Sequence, residues 1–101
     1  MSEYSKAAKL TEIEPGKGKC VEVNGKQIAL FNLGGTFRAI DNTCIHRGGP
    51  LSEGDLNGDK VTCPWHGWEF SVVSGEAVHS PAAKVNAYPV KIDGDDVLVE
   101  A

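Results

Sequence analysis

Turn dipeptides bracket both ends of this chain so closely that only short strands fit between them. Asn24-Gly25, Gly34-Gly35, Ser74-Gly75 and Asp93-Gly94 each supply a glycine, which reaches positive φ without steric cost. Between the first two, Lys26 to Leu33 carries Ile28, Ala29, Leu30, Phe31 and Leu33, the length and content of a mostly buried strand. Cys20-Val21-Glu22-Val23 alternates before it, and Thr36 to Ile40 follows as the next strand, so a three-stranded meander is predicted. Near the C-terminus, Val85 to Ile92 spaces Tyr88, Val90 and Ile92 by two, with Pro89 suited to an edge or bulge. Asp93-Gly94 then turns into a last strand over Asp96 to Glu100.

No window sustains a helical period of apolar residues. Thr11-Glu12-Ile13-Glu14 has the form of a capping box, but Pro15 follows at once and limits it to one turn. The pattern predicts an all-β domain of many short strands, a sandwich or a barrel. With 101 residues, 41% apolar and 24% charged, the chain has the balance of one globular domain with a modest core. Residues 41–81 break the pattern: turn residues dominate and only fragments such as Lys60-Val61-Thr62 and Trp68-Glu69-Phe70 read as strand. A loop-rich insertion of that size needs something to hold it in place.

That insertion holds all three histidines, both tryptophans and two of the three cysteines. Two pairs stand out, Cys44-Ile45-His46 and Cys63-Pro64-Trp65-His66, separated by the sixteen residues 47–62. Each offers a thiolate and an imidazole on a tight turn, so two facing turns can close a four-ligand site. Those donors suit zinc or an iron–sulfur centre, whereas calcium and magnesium take oxygen. Gly48, Gly49 and Gly67 let backbone amides approach a metal group, and Pro64 stiffens the second turn.

C-x-H, sixteen residues and C-x-x-H, standing here as CIHRGGPL and CPWHGWEF, resemble the Rieske family. The resemblance runs from the strands near residue 20 to the terminal YPV and DVLVE segments. It implies a Rieske-type antiparallel β-sandwich, with a base over 1–40 and 82–101 and an inserted cluster-binding subdomain over about 41–81. It further implies one 2Fe–2S cluster, with Cys44 and Cys63 on the inner iron and His46 and His66 on the outer, more exposed iron. Ser80-Pro81-Ala82 matches a third, proline-containing loop that packs over the cluster in that family. In such a centre two ferric irons, two sulfides and two thiolates cancel, so reduction creates a single negative charge. Replacing two thiolates by imidazoles thus raises the potential into a range of roughly −150 to +300 mV. High-potential relatives carry an extra cysteine in each ligand loop and hydroxyl donors after the second histidine. Gly49 and Trp65 stand at the cysteine positions, and Trp68 and Phe70 at the Ser and Tyr positions. The reduced cluster would lack those donors, which predicts a potential of about −150 mV, the low end of the range.

The function implied is one-electron carriage, from a flavin-dependent reductase to an aromatic-ring hydroxylating oxygenase. The chain is not expected to be the enzyme, because a mononuclear oxygenase iron needs two more histidines and only His79 is left. Two alternatives use the same residues: a small electron-transfer subunit of an assimilatory nitrite reductase, and a zinc-stabilised interaction module. Zinc sites usually open with two cysteines, which C-x-H does not supply. A formal charge of −4 argues against nucleic-acid binding and is compatible with a basic docking partner. No apolar run approaches the roughly 20 residues that span a bilayer, and no signal peptide is visible, so a cytoplasmic protein is expected. Cys20 is expected to be a small buried hydrophobe and His79 a solvated loop residue. Trp65 and Trp68 are read as packing over the cluster, and Arg47 as either docking or solvated.

Overall fold

A computed structural model describes residues 4–43, 50–64, 67–78 and 83–101. Among the described residues ten strands form three antiparallel sheets. The meander comprises β2 (Gly18–Val23), β3 (Lys26–Asn32) and β4 (Phe37–Asp41), joined by the two-residue strand β8 (Ala87–Tyr88) in the order β2-β3-β4-β8. The second sheet pairs β1 (Tyr4–Lys9), β10 (Asp96–Glu100) and β9 (Val90–Asp93), in that order. The third is the small meander β5 (Asp55–Asn57), β6 (Lys60–Thr62) and β7 (Glu69–Ser71) within the insertion. The Asn24-Gly25 turn has φ of +52° and +78°, the two positive values a tight β2–β3 hairpin requires.

β3 reads as a continuous apolar run because both of its faces are covered. Ile28 and Leu30 face one cluster with Val21, Val23, Phe37, Ala39, Val97 and Val99, between the meander and the terminal sheet. Ala29 and Phe31 face a second cluster with Ile40, Leu51, Val61, Phe70 and Val72, between the meander and the insertion. The large meander is therefore the middle layer of three, and its insertion-side face is the floor on which the candidate site stands. Asn32, buried in that layer, donates to the Ile13 carbonyl at 2.8 Å and accepts from the Gly34 and Gly35 amides at 3.0 and 2.8 Å. One side chain thus shapes the β3–β4 turn.

The all-β architecture is as expected, and three local features differ. The expected strand Val85–Ile92 divides at Pro89, which has no amide to extend a ladder. Ala87 and Tyr88 pair with β4, whereas Val90 onward pairs with β10, so the chain changes sheets there. β1 was not legible, since its YSKAAK sequence buries only Ala8 fully and has little β-propensity. Cys20 is exposed, not buried. It lies on edge strand β2 opposite Ala29, in an alternation that buries Val21 and Val23 and leaves Cys20 and Glu22 exposed. Partial burial, Glu53 and Glu22 push its thiol pKa up, so the thiolate is disfavoured. The N-terminal turn is one 3₁₀ turn, Leu10–Glu12, and it is the Glu12 side chain, accepting from the Lys9 amide at 3.2 Å, that closes it. No helix among the described residues is long and apolar enough to cross a membrane.

Candidate metal centre

Three chain segments meet at one end of the small sheet. The first is bounded by Thr43 and Pro50, which form an isolated antiparallel bridge. Just below it Asn42 is buried, and its backbone carbonyl accepts from the Leu51 amide at 2.7 Å. The six residues between Thr43 and Pro50 therefore start and finish at one point. Leu51 is fully buried in the insertion-side cluster, and Gly54 packs so tightly on β6 that a Cβ there would lie 2.0 Å from the Thr62 carbonyl oxygen.

The second segment joins β6 to β7. Val61 pairs with Phe70 and Thr62 with Glu69, so Cys63 to Trp68 is the hairpin connection. The Cys63 amide donates to the Trp68 carbonyl at 2.7 Å, and the Gly67 amide to the Cys63 carbonyl at 3.0 Å. Gly67 has φ +73°, a left-handed conformation that L side chains rarely adopt. Cys63 itself is 1% exposed and packs in the same cluster as Leu51 and Phe70.

The third segment is closed by Glu76 pairing with Lys84 and by the Ala77 amide donating to the Ala83 carbonyl at 2.9 Å. The Val78 amide bonds the Glu69 carbonyl at 2.8 Å, which places this neck at the Thr62–Glu69 end of the sheet. Gly75 makes the approach possible, since a Cβ there would lie 2.2 Å from the Val85 carbonyl oxygen. All three necks thus converge around Cys63.

Of the four sequence-predicted ligands, Cys63 is placed by the structure. Cys44, His46 and His66 lie outside the described residues, as do Arg47, Trp65, His79 and Ser80-Pro81-Ala82. The donor that is described fits the sulfur side of an iron centre: a buried thiol, at the mouth of a glycine-bearing turn, above an apolar floor. Trp68 is half-buried and packs on the same cluster, its ring 6.3 Å from that of Phe70, in keeping with a packing role. Phe70 is fully buried and brings no hydroxyl to the site.

Sequence reasoning missed the residues that hold the necks together. Asn42 accepts from the Ser52 amide at 2.9 Å through Oδ1. Asp41 accepts from the Tyr88 hydroxyl at 2.5 Å and from the Asn86 amide at 2.9 Å. The adjacent Asp41-Asn42 pair, two side chains able to bond backbone amides just before a ligand turn, is the signal that could have found them.

Stacked antiparallel sheets with three loop necks closing beside a buried cysteine are the frame of a small all-β metal-binding domain. The Rieske [2Fe-2S] domain family matches residues 3–89, and this chain belongs to it. It is 40% identical over 95 residues to the ferredoxin component of the naphthalene 1,2-dioxygenase/salicylate 5-hydroxylase systems of a Ralstonia species, covering 93% of this chain and 91% of that one. The ferredoxin of carbazole 1,9a-dioxygenase from Nocardioides aromaticivorans IC177 superposes with a TM-score of 0.89 at 28% identity, covering 95% of both chains. A chain in the complex of reduced oxygenase and oxidized ferredoxin of carbazole 1,9a-dioxygenase superposes with a TM-score of 0.87 at 31% identity, covering 96% of this chain and 92% of that one. Like these relatives, the chain is an electron-transfer component and not the catalytic one.

Proposed function

We propose that this chain is a cytoplasmic one-electron carrier that holds a 2Fe–2S cluster through Cys44, His46, Cys63 and His66. It takes electrons from a flavin-dependent reductase and delivers them to a terminal aromatic-ring hydroxylating oxygenase. The observation that carries the reading is the convergence of three loop necks around the buried Cys63. The relatives' names as dioxygenase ferredoxin components support the choice of partner. On this reading residues 41–81 act as a cluster-binding subdomain on a base formed by 1–40 and 82–101.

The bound cluster would supply reversible one-electron chemistry. The protein's own groups do the rest. Cys63 offers a thiolate from an apolar setting, and Trp68 and Phe70 exclude water on that side. The insertion also carries the chain's charge. Asp41, Glu53, Asp55, Asp59, Glu69 and Glu76 against Arg47 and Lys60 leave −4, the formal net charge of the whole chain. The insertion as a whole is therefore the acidic part of the chain, which favours a partner with a basic docking patch.

Electron paramagnetic resonance of the reduced, anaerobically purified protein tests the reading, together with iron and acid-labile sulfide analysis. A red-brown protein with a Rieske-type signal is expected. Colourless protein that binds zinc instead, with neither iron nor sulfide, would overturn it. Specific co-purification with a sirohaem enzyme in place of a ring-hydroxylating system would reassign the partner.

A further inference from the structure

β8 has only two residues, and its pairing with β4 is limited to Ala39 with Tyr88 and Ile40 with Ala87. So short a ladder is weak by itself, yet it joins the start and the end of the insertion. Side chains complete it. The Asp41 carboxylate accepts from the Tyr88 hydroxyl at 2.5 Å through Oδ1 and from the Asn86 amide at 2.9 Å through Oδ2. The Asp41 amide in turn donates to the Asn86 carbonyl at 2.9 Å. Both carboxylate oxygens are thus committed to the chain 45 and 47 residues away. Hydrogen bonds to a charged acceptor are the stronger ones.

The next residue relays the constraint. Asn42 donates to the Gln27 carbonyl at 3.1 Å and receives the Leu51 amide at 2.7 Å and the Ser52 amide at 2.9 Å. Asp41 therefore fixes Asn42, and Asn42 fixes the far side of the segment 44–49. We infer that Asp41, Asn86 and Tyr88 form a clasp that locks the entry and exit of the insertion together, making Tyr88 a positioning residue for the segment bearing Cys44 and His46. The role in electron transfer rests on the function proposed above; the clasp itself does not. Tyr88 stays a donor over the working pH range, because burial and Asp41 push its pKa up to about 12. The Lys26 ammonium lies 5.7 Å from the centroid of the same ring.

The test is amide hydrogen exchange on the full chain carrying Tyr88→Phe, which keeps the ring and removes the donor. The Leu51 and Ser52 amides are expected to exchange about tenfold faster, as when one hydrogen bond to a charged group leaves a local opening equilibrium, while β10 amides stay unchanged. Asp41→Ala, which removes both side-chain bonds, should act at the same amides and more strongly. Unchanged exchange at Leu51 and Ser52 overturns the clasp, and so does equal acceleration in β10, which would mean only general destabilisation. In iron-loaded protein the variant should lose iron to a chelator about tenfold faster, in step with that opening. Iron loss at the parental rate, with faster amides, would overturn the positioning role. If the parent protein holds no iron the ferredoxin reading fails, and amide exchange still decides the clasp.

Discussion

Asn42 Oδ1 and the Ser52 amide are hydrogen-bonded at 2.9 Å across the base of the first candidate ligand segment, with both residues buried. The bond spans ten residues of sequence and does the work of a turn cap for the whole segment. Asn42→Ala leaves a buried amide without a partner, which costs about 1–3 kcal/mol. Urea denaturation should show that loss, and the variant should hold less iron than the parent after identical anaerobic purification. Parental stability and iron content together would remove Asn42 from the list of residues that shape the site.

Gly54 has an ordinary φ of −75°, so its role is space and not backbone freedom. A Cβ there would lie 2.0 Å from the Thr62 carbonyl oxygen, and backbone cannot give way as a side-chain tip can. Gly54→Ala must separate the Pro50–Gly54 segment from β6, the strand that leads into Cys63. A loss of about 3 kcal/mol is expected, at the upper end of the usual cost of overpacking. Gly58→Ala is the control, because its Cβ would meet nothing within 4 Å and only its φ of +65° is strained. Thermal unfolding should rank Gly54→Ala well below Gly58→Ala.

Tyr88 also gives stability a defined alkaline limb. Its pKa in the folded protein is pushed up to about 12, by burial first and then by the hydrogen bond to and charge of Asp41. The unfolded chain releases the same proton near the ordinary tyrosine value of about 10. Between those values the folded state binds more protons than the unfolded state, so stability falls as pH rises. The contribution is complete below about pH 10 and fades towards pH 12; with partial exposure it amounts to about 1–2 kcal/mol. Denaturation midpoints at pH 9, 10 and 11 should therefore show the gap between parent and Tyr88→Phe narrowing. A constant gap would contradict the assigned environment.

The strands of the large meander were legible because their own residues carry the signal. Asn24-Gly25 fixes a turn, and Ile28 to Phe31 can be apolar on every position only if both faces are covered. Elsewhere the decisive interactions lie far apart in sequence. β1 is defined by pairing with β10 rather than by its alanines, and the break at Pro89 is set by which sheet each side finds. Cys20 shows the same limit: its neighbours alternate as a half-buried strand should, but which face of an edge strand is covered depends on elements distant in sequence. At the site, residue types and spacing name candidate donors, of which the buried Cys63 is among the described residues. The long-range bonds of Asp41 and Asn42, which bring the loop necks together, leave no periodic trace.

His66→Cys probes the ligand chemistry itself. An imidazole is a neutral ligand and a thiolate an anionic one, so the exchange adds negative charge to the centre before any electron arrives. Reduction then becomes harder, and the midpoint should move from about −150 mV towards the roughly −400 mV of plant-type ferredoxins with four cysteines. The starting value matters as much as the shift. Phe70 is fully buried and has no hydroxyl, and Trp68, packed beside it, has none either, so the hydroxyl donors that raise the potential of other Rieske centres are missing. Voltammetry of the parent above about +100 mV would contradict that account of Trp68 and Phe70, whatever the variant does. An assembled His66→Cys centre with an unchanged midpoint would instead contradict histidine ligation at position 66, while leaving the proposed role of Cys63 untouched.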